Sequence, residues 1–243
     1  MTFSFIIPTY QEEKYIAACL ESIRNQILEN DELEIIVSDA CSTDMTRSIA
    51  QRYTEKIEIT EKRGIAIGRN LGAAQAKNEI IVFIDADTVL DPSFLSECKK
   101  TFTDKTIIGM TGIAHPYDGS FLPRFVYTGT YILVRFFSFW GLNLFPGICA
   151  AYRTESFRNA GGFREDLGVV EDLDLSRRIS QLGKCAVQKK AKAGVSTRRL
   201  EENLFSTVFF HIWNELRYLM TGHAARSYPK TEEMRNWKDL WKR

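Results

Sequence analysis

The strongest constraint on the fold is an alternation of apolar runs with helical patterns over the first 84 residues. The mainly apolar runs Phe3–Ile7, Leu33–Ser38 and Ile80–Ile84 are separated by segments with apolar residues at three- and four-residue spacing. Strands that alternate with helices predict an α/β fold with a mainly parallel sheet flanked by helices. Ligands of such sheets bind at the carboxyl ends of the strands, so functional residues are expected there.

Helices and a weaker strand are predicted between these runs. The helices cover Glu12–Leu28, Ser42 or Thr43 to about Tyr53, and Gly64–Lys77, and the weak strand covers Ile57–Thr60. The third helix carries glycines four residues apart, at Gly64, Gly68 and Gly72. This spacing leaves bare backbone on one helix face, which favours close packing on the sheet.

The second half of the chain is less regular and is predicted to complete the same domain. Strands are predicted at Ile107–Ala114 and Ile148–Tyr152, and helices at Thr154–Asn159, Glu171–Leu182 and Glu201–Thr221. Six apolar residues of the last helix share one face: Phe205, Val208, Phe209, Ile212, Leu216 and Leu219. We expect one domain over residues 1–225, ending in a C-terminal helical extension, and a polar tail over residues 226–243.

Net charge, cysteine content and the length of the apolar runs indicate which partners and which cellular compartment to expect. The chain has 32 lysines and arginines against 31 aspartates and glutamates, a net charge of +1, which argues against nucleic acid as a partner. Five scattered cysteines without a Cys-x-x-Cys pair predict neither a disulfide framework nor a zinc site. The opening MTFSFIIPTYQEE reaches acidic residues too soon for a signal peptide, and no apolar run is long enough to span a membrane. We expect a cytoplasmic protein.

Carboxylates follow the predicted strands. Asp85 and Asp87 come directly after a fully apolar strand, and paired carboxylate oxygens are ligands that Mg²⁺ or Mn²⁺ shares with phosphates. Asp39 ends the second strand, where it would either bind a nucleotide or stabilise its own turn. Glu171 and Asp172 open a helix, where they would either supply a general base or simply complement the helix dipole.

Two further segments leave alternatives open. Six basic residues and no acidic one lie between Gly183 and Leu200, which predicts either a solvated face or a lip that holds phosphate. Residues 119–154 lack acidic residues and are rich in aromatic ones. A helix over Pro123–Trp140 would place Arg124, Thr128, Tyr131 and Arg135 on one side and apolar residues elsewhere. Residues 121–145 would then either touch the inner membrane surface or form an ordinary buried helix.

Five segments resemble, in the same order, family 2 of the inverting glycosyltransferases, which have the GT-A fold. They are IIPTYQEEKYIAACLESI, VSDACSTDMT, RGIAIGRNLGAAQAKNEIIVFIDADTVL, AAYRTESFRNAGGFRED and VVEDLDLSRRI, and they cover most of residues 3–182. The resemblance implies a nucleotide-sugar-binding half at about residues 1–115 and an acceptor half at about residues 116–225. It also implies Mn²⁺ or Mg²⁺ as cofactor, a nucleotide-sugar donor, with UDP favoured over GDP, and a glycan or lipid-linked acceptor.

The resemblance assigns roles by position. Asp172 would be the general base, with Glu171 on the acceptor side. Asp87 would bind the metal with help from Asp85, and Arg198 and Arg199 would contact the diphosphate. The residues implied to line the nucleotide pocket are Pro8, Thr9, Tyr10, Glu12, Asp39, Arg63 and Asp85.

Departures from related patterns favour a single addition of one sugar. Some relatives that load lipid phosphates carry glutamine where this chain has Val89, and processive synthases carry a Gln-x-x-Arg-Trp motif that this chain lacks. A sugar-nucleotide pyrophosphorylase would be expected to have a glycine-rich loop where PTYQEE stands. The remaining alternatives are a non-catalytic nucleotide or carbohydrate binder and a membrane-surface protein that retains the fold.

Overall fold

The computed structural model describes residues 1–26, 32–139 and 145–226. The strands are β1 (Thr2–Thr9), β2 (Glu32–Asp39), β3 (Ile57–Ile59), β4 (Ile80–Ile84), β5 (Thr88–Leu90), β6 (Ile107–Pro116), β7 (Cys149–Arg153) and β8 (Lys184–Val195). The helices are α1 (Ile16–Arg24), α2 (Thr46–Ala50), α3 (Ile65–Gln75), α4 (Phe94–Phe102), α5 (Phe121–Phe139), α6 (Thr154–Asn159), α7 (Glu171–Ser180) and α8 (Arg198–Thr221).

One eight-stranded sheet organises the molecule, in the order β3-β2-β1-β4-β7-β6-β8-β5. The first four strands of that order are mutually parallel, which confirms the predicted sheet. Strand β7 runs antiparallel to both β4 and β6, and the edge strand β5 runs antiparallel to β8. The register of β1 and β2 pairs Thr9 with Asp39, so two of the predicted site residues lie side by side.

Most predicted elements are present, but several boundaries differ. Strand β1 continues through Pro8 to Thr9, beyond the predicted end at Ile7. Pro8 is tolerated because β4 pairs with β1 only as far as Ile6, so the missing N–H of Pro8 faces no second strand. Helices α1 and α2 begin later than predicted, since residues 13–15 form a turn and residues 44–45 a bend. The sequence interpretation missed β5, α4 and β8, while Leu28, Trp140 and residues 227–243 lie outside the described part.

Helix α8 has the predicted apolar face, and that face points outward: Phe205 is 83% exposed and Leu216 is 49% exposed. The opposite face, with Phe210, Asn214 and Tyr218, is the buried one. The polar members of that face form hydrogen bonds inside the protein: Asn214 accepts from Ala225 N, and Tyr218 donates to Asp174.

The sheet is packed on both sides, and α3 covers one of them. Ile6, Ile81 and Phe83 lie in the core on this side. A Cβ atom added at Gly72 would lie 2.5 Å from Ile6 Cγ2 and 2.6 Å from Ser38 Oγ, so α3 approaches the sheet more closely than any side chain would allow. The glycine spacing therefore fixes the position of α3, as predicted.

Gly72→Ala is expected to lower the free energy of unfolding by about 1–3 kcal/mol, because the added methyl group must displace β1 or β2. Gly129→Ala is the matched control, since nothing lies within 4 Å of the added Cβ there. Urea unfolding of both variants measures the difference. A Gly72→Ala protein as stable as the wild type would show that α3 is not held this closely.

Candidate functional site

The site lies at the edge of the sheet where β1, β2 and β4 end. Asp39 is fully buried at the end of β2. Its carboxylate accepts hydrogen bonds from Thr9 Oγ1 at 3.1 Å, Ser42 N at 2.9 Å and Ser42 Oγ at 2.5 Å. Arg47 Nε lies 3.7 Å away from it. The turn role that the sequence left open for Asp39 is thus present, and its nucleotide role stays a prediction.

Two of the residues implied to line the nucleotide pocket meet beside this turn. The guanidinium carbon of Arg63 lies 4.3 Å from the centre of the Tyr10 ring. Tyr10 is 38% exposed, and it follows the half-buried Pro8 and the buried Thr9. An exposed aromatic face with a stacked cation is a surface on which a planar base can pack.

A buried arginine, Arg69 on α3, connects the two acidic segments of the site. Its Nη2 donates to Asp85 Oδ1 at 2.9 Å, and its Nη1 donates to Glu171 Oε1 at 2.7 Å. Burial alone would lower the pKa of Arg69, but the charges of Asp85, Glu171 and Asp172 raise it overall, so the guanidinium stays charged. The start of α7 is therefore fixed beside the end of β4.

Sequence reasoning missed Arg69. The available signal was an arginine among the small residues of the glycine-patterned helix GIAIGRNLGAA. A charged side chain on a helix face that packs against a sheet requires a buried partner.

Glu171 and Asp172 begin α7 after an unusual residue. Val170 has a φ of 60°, in the left-handed region that β-branched residues rarely adopt, and such strain costs on the order of 1–3 kcal/mol. Asp172 Oδ2 accepts from the Gly147 backbone N–H at 2.7 Å, and Oδ1 accepts from Leu173 N at 2.8 Å. Burial and the charge of Asp172 raise the pKa of Glu171, although Arg69 lowers it. The strained turn thus holds two acidic groups at one helix start.

Asp87 belongs to a second cluster. Arg198 Nη2 lies 2.5 Å from Glu12 Oε1 and 3.2 Å from Asp87 Oδ2, and the Arg198 guanidinium stacks 4.4 Å from the centre of the Tyr15 ring. Burial alone would lower the pKa of Arg198, but its hydrogen bond to Glu12 and the charges around it raise the pKa overall. Arg199 lies in the same turn, and its side chain is outside the described part.

The carboxylates fit a divalent cation that is shared with a ligand. Within residues 1–26, 32–139 and 145–226, no three histidine, cysteine or acidic side chains are arranged to hold a metal ion. Mg²⁺ and Mn²⁺ commonly take one or two carboxylates from the protein and the remaining ligands from phosphates and water. Asp87 pairs with a cationic group, Arg198, at 3.2 Å, and both side chains are partly exposed. Asp85 and Asp87 are therefore a suitable but incomplete set of ligands.

The structure brings most of the predicted site residues into three groups. Asp85, Glu171 and Asp172 gather around Arg69, while Glu12 and Asp87 gather around Arg198. The two groups are joined through the short Asp85–Asp87 segment. The turn of Thr9 and Asp39, with Tyr10 and Arg63 beside it, forms the third group.

Solved structures identify the class of fold. Mannosyltransferase PcManGT from Pyrobaculum calidifontis, in complex with GDP-Man and Mn²⁺, superposes with a TM-score of 0.72 at 24% identity, covering 98% of this chain and 69% of that one. Residues 1–349 of TarS from S. aureus, in complex with UDP-GlcNAc, superpose with a TM-score of 0.64 at 20% identity, covering 98% and 70%. The molecule has the α/β architecture of the GT-A glycosyltransferases.

Sequence comparison gives the family. The model of glycosyl transferase family 2 matches residues 4–161, and the chain belongs to this family. The poly(ribitol-phosphate) beta-N-acetylglucosaminyltransferase TarS of Staphylococcus aureus is 33% identical over 123 residues, which cover 46% of this chain and 22% of TarS. The O-antigen chain rhamnosyltransferase WbaN of Salmonella anatum is 28% identical over 233 residues, which cover 88% of this chain and 73% of WbaN. The sequence match thus covers less than a quarter of TarS.

Arg69→Met is expected to lower the free energy of unfolding by about 3–5 kcal/mol, because it leaves two carboxylates without their buried partner. Arg63→Met removes an equal charge from an exposed stack and is expected to have a much smaller effect. Chemical denaturation of both variants provides the comparison. Equal losses of unfolding free energy in the two variants would show that the Arg69 bridge does not stabilise the protein more than the exposed Arg63 stack does.

Proposed function

We propose that this protein is an inverting glycosyltransferase that adds one sugar from a nucleoside-diphosphate sugar to an acceptor hydroxyl. The observation that carries the proposal is the Arg69 bridge, which holds Asp85 at the end of β4 and Glu171 at the start of α7. Asp172 follows Glu171 directly, so a metal-binding segment and a candidate base belong to one rigid unit. A reaction that separates charge between a leaving diphosphate and an acceptor hydroxyl needs these two groups together.

The nucleotide would bind along the ends of β1, β2 and β4. Pro8, Thr9, Tyr10, Glu12, Asp39, Arg63 and Asp85 are the proposed lining. The Tyr10 ring beside Arg63 supports a stacked base, and Asp39 supports hydrogen bonding to the base next to it. Structural neighbours are described with both UDP-GlcNAc and GDP-Man. We favour UDP, because TarS, the relative with 33% identity, is the one whose structure holds UDP-GlcNAc.

Asp87, with Asp85, would hold Mn²⁺ or Mg²⁺ against the diphosphate. When bound, such an ion neutralises the negative charge that grows on the leaving group. Arg198 and Arg199 would contact the same diphosphate, since arginine forms bidentate hydrogen bonds to phosphate oxygens. The protein residues thus orient the donor and compensate its charge on one side of the sugar.

Asp172 would accept the proton of the acceptor hydroxyl. Its Oδ2 is oriented by the Gly147 backbone N–H at 2.7 Å, which fixes the carboxylate relative to the chain that precedes β7. Glu171 would act through position rather than by proton transfer, because Arg69 already holds its carboxylate at 2.7 Å. An inverting reaction requires the base to face the sugar opposite the leaving group, so it must differ from the carboxylates at the diphosphate.

Asp172→Asn keeps the shape of the side chain and is expected to lower transfer by about two orders of magnitude or more, because the base is lost. Donor affinity should stay near the wild-type value, since the proposed nucleotide contacts lie on other segments. Released UDP with Mn²⁺ and a panel of UDP-sugars measures turnover, and calorimetry with UDP measures affinity. Near-normal turnover in this variant would show that Asp172 is not the general base.

A second variant separates catalysis from support of the helix start. Glu171→Gln is expected to cost less activity than Asp172→Asn, because its proposed role is to position α7. A simple helix-capping role for Asp172 predicts instead a stability loss of about 1 kcal/mol with catalysis kept. Melting temperatures measured on both variants decide between these two interpretations.

The acceptor would be a glycan or a lipid-linked sugar, met at the inner surface of a membrane. Helix α5 exposes an apolar stripe along one side: Phe121, Phe125, Ile132 and Phe136 are 57–80% exposed. Arg124 is also exposed, and residues 119–154 contain no acidic residue, so the helix suits an anionic surface. In the described part, no helix is long and apolar enough to cross a bilayer.

The double substitution Phe125→Ser/Ile132→Ser is expected to reduce the membrane-bound fraction roughly tenfold, since two side chains no longer enter the interface. The assay is flotation with phosphatidylglycerol vesicles at low salt. Ile59→Ser is the control, because Ile59 is 53% exposed on the edge strand β3 and lies outside α5. Absence of wild-type flotation, or an equal loss in the control, would leave α5 without a membrane role.

A further inference from the structure

We infer that Arg198 occupies Asp87 while no donor is bound and leaves it for the diphosphate when the cation and donor bind. The inference rests on the proposed function, because it takes Asp87 as the ligand of a divalent cation. It adds an internal competitor for that ligand. The protein would then hold its cation weakly alone and tightly together with a nucleotide.

The geometry around Arg198 supports this exchange. A single nitrogen, Nη2, faces both carboxylates, at 2.5 Å from Glu12 Oε1 and 3.2 Å from Asp87 Oδ2. The side chains of Arg198 and Asp87 are 26% and 17% exposed, so an incoming ligand can reach the pair. Glu12 Oε2 is buried and has no hydrogen-bond partner among the described residues. The cluster therefore has more acceptor capacity than Arg198 satisfies.

The backbone around Arg198 contains both an anchor and a break in the helix. Asp118 accepts from Ser196 Oγ at 2.7 Å and from Thr197 N at 2.6 Å, which ties the residues before Arg198 to the end of β6. Five residues after Arg198, Asn203 has φ −153° and ψ 62°, which interrupts the helical geometry of α8. The first turn of α8, which carries Arg198, is thus set off from the helix body by a break in the helical geometry.

Charge decides the direction of the exchange. A partly exposed ion pair between single charges is weak and is readily replaced. A divalent cation brings twice the charge to Asp87, and the diphosphate offers Arg198 a bidentate partner. The cation replaces Arg198 at Asp87, and the diphosphate replaces Asp87 at Arg198. These two changes favour the donor-bound arrangement only when the cation and the diphosphate are present together.

Mn²⁺ binding measured by electron paramagnetic resonance tests this competition without any turnover. In the absence of nucleotide, Arg198→Gln is expected to bind Mn²⁺ roughly fivefold more tightly than the wild type, because Asp87 has lost its competitor. In the presence of UDP the advantage should vanish or reverse, because Arg198 no longer supports the diphosphate. Arg24→Gln is the matched control, since it removes the same charge from an exposed arginine that stacks on Tyr53, outside the proposed site.

The possible outcomes distinguish the competition by Arg198 from the role of Asp87 as a ligand of the cation. Unchanged Mn²⁺ affinity in Arg198→Gln without nucleotide, or an equal gain in Arg24→Gln, overturns the competition. Asp87→Asn is expected to lose Mn²⁺ binding. Wild-type Mn²⁺ affinity in that variant would instead overturn the role of Asp87, and with it the proposed site for the cation. Melting curves for all variants ensure that folded proteins are compared.

Discussion

The buried guanidinium of Arg69 is the interaction on which the arrangement of the site depends. It joins α3, the end of β4 and the start of α7 through two charged hydrogen bonds, at 2.9 Å to Asp85 and 2.7 Å to Glu171. Removing charges from water costs several kcal/mol per ion, so such a pair adds little net stability. Its benefit is geometric, because a planar fork with two partners fixes both distance and direction.

A second polar network holds α7 from its other side. Asp174, which is buried, accepts a hydrogen bond from Tyr218 of α8 at 2.7 Å and pairs with Arg178 of its own helix. Asn214 Oδ1 accepts from Ala225 N at 2.8 Å, which folds the end of the described chain back onto α8. The helix that carries Asp172 is therefore fixed at both faces, and the strain at Val170 can persist because this surrounding structure over-determines it.

Sequence reasoning succeeded where one local pattern determines one structure. The apolar runs predicted β1, β2 and β4, and the glycine spacing predicted how closely α3 packs, because both depend on residues near in sequence. It missed β8, whose pairing with β6 is interrupted by register shifts, and the short edge strand β5. It also missed Arg69 as a site residue. Its partners Asp85 and Glu171 lie 16 and 102 residues away in the sequence, and no local spacing encodes such contacts.

The parallel strands and helix α8 distribute polarity in opposite ways. Strands β1, β2 and β4 bury apolar residues on both faces of the sheet, such as Phe5 on one face and Phe83 on the other. Helix α8 instead buries Asn214 and exposes seven large apolar residues: Phe205, Phe209, Ile212, Trp213, Leu216, Leu219 and Met220.

Together, α5 and α8 carry 12 of the 17 large hydrophobic side chains that are exposed in the described residues. Water alone gives no reason to concentrate apolar surface on two neighbouring helices, because such patches favour association. Helix α8 is amphipathic in the expected register, and its buried polar face contacts α7 through the hydrogen bond from Tyr218 to Asp174. Contact of α5 and α8 with an apolar surface would remove the cost of exposing their apolar side chains to water.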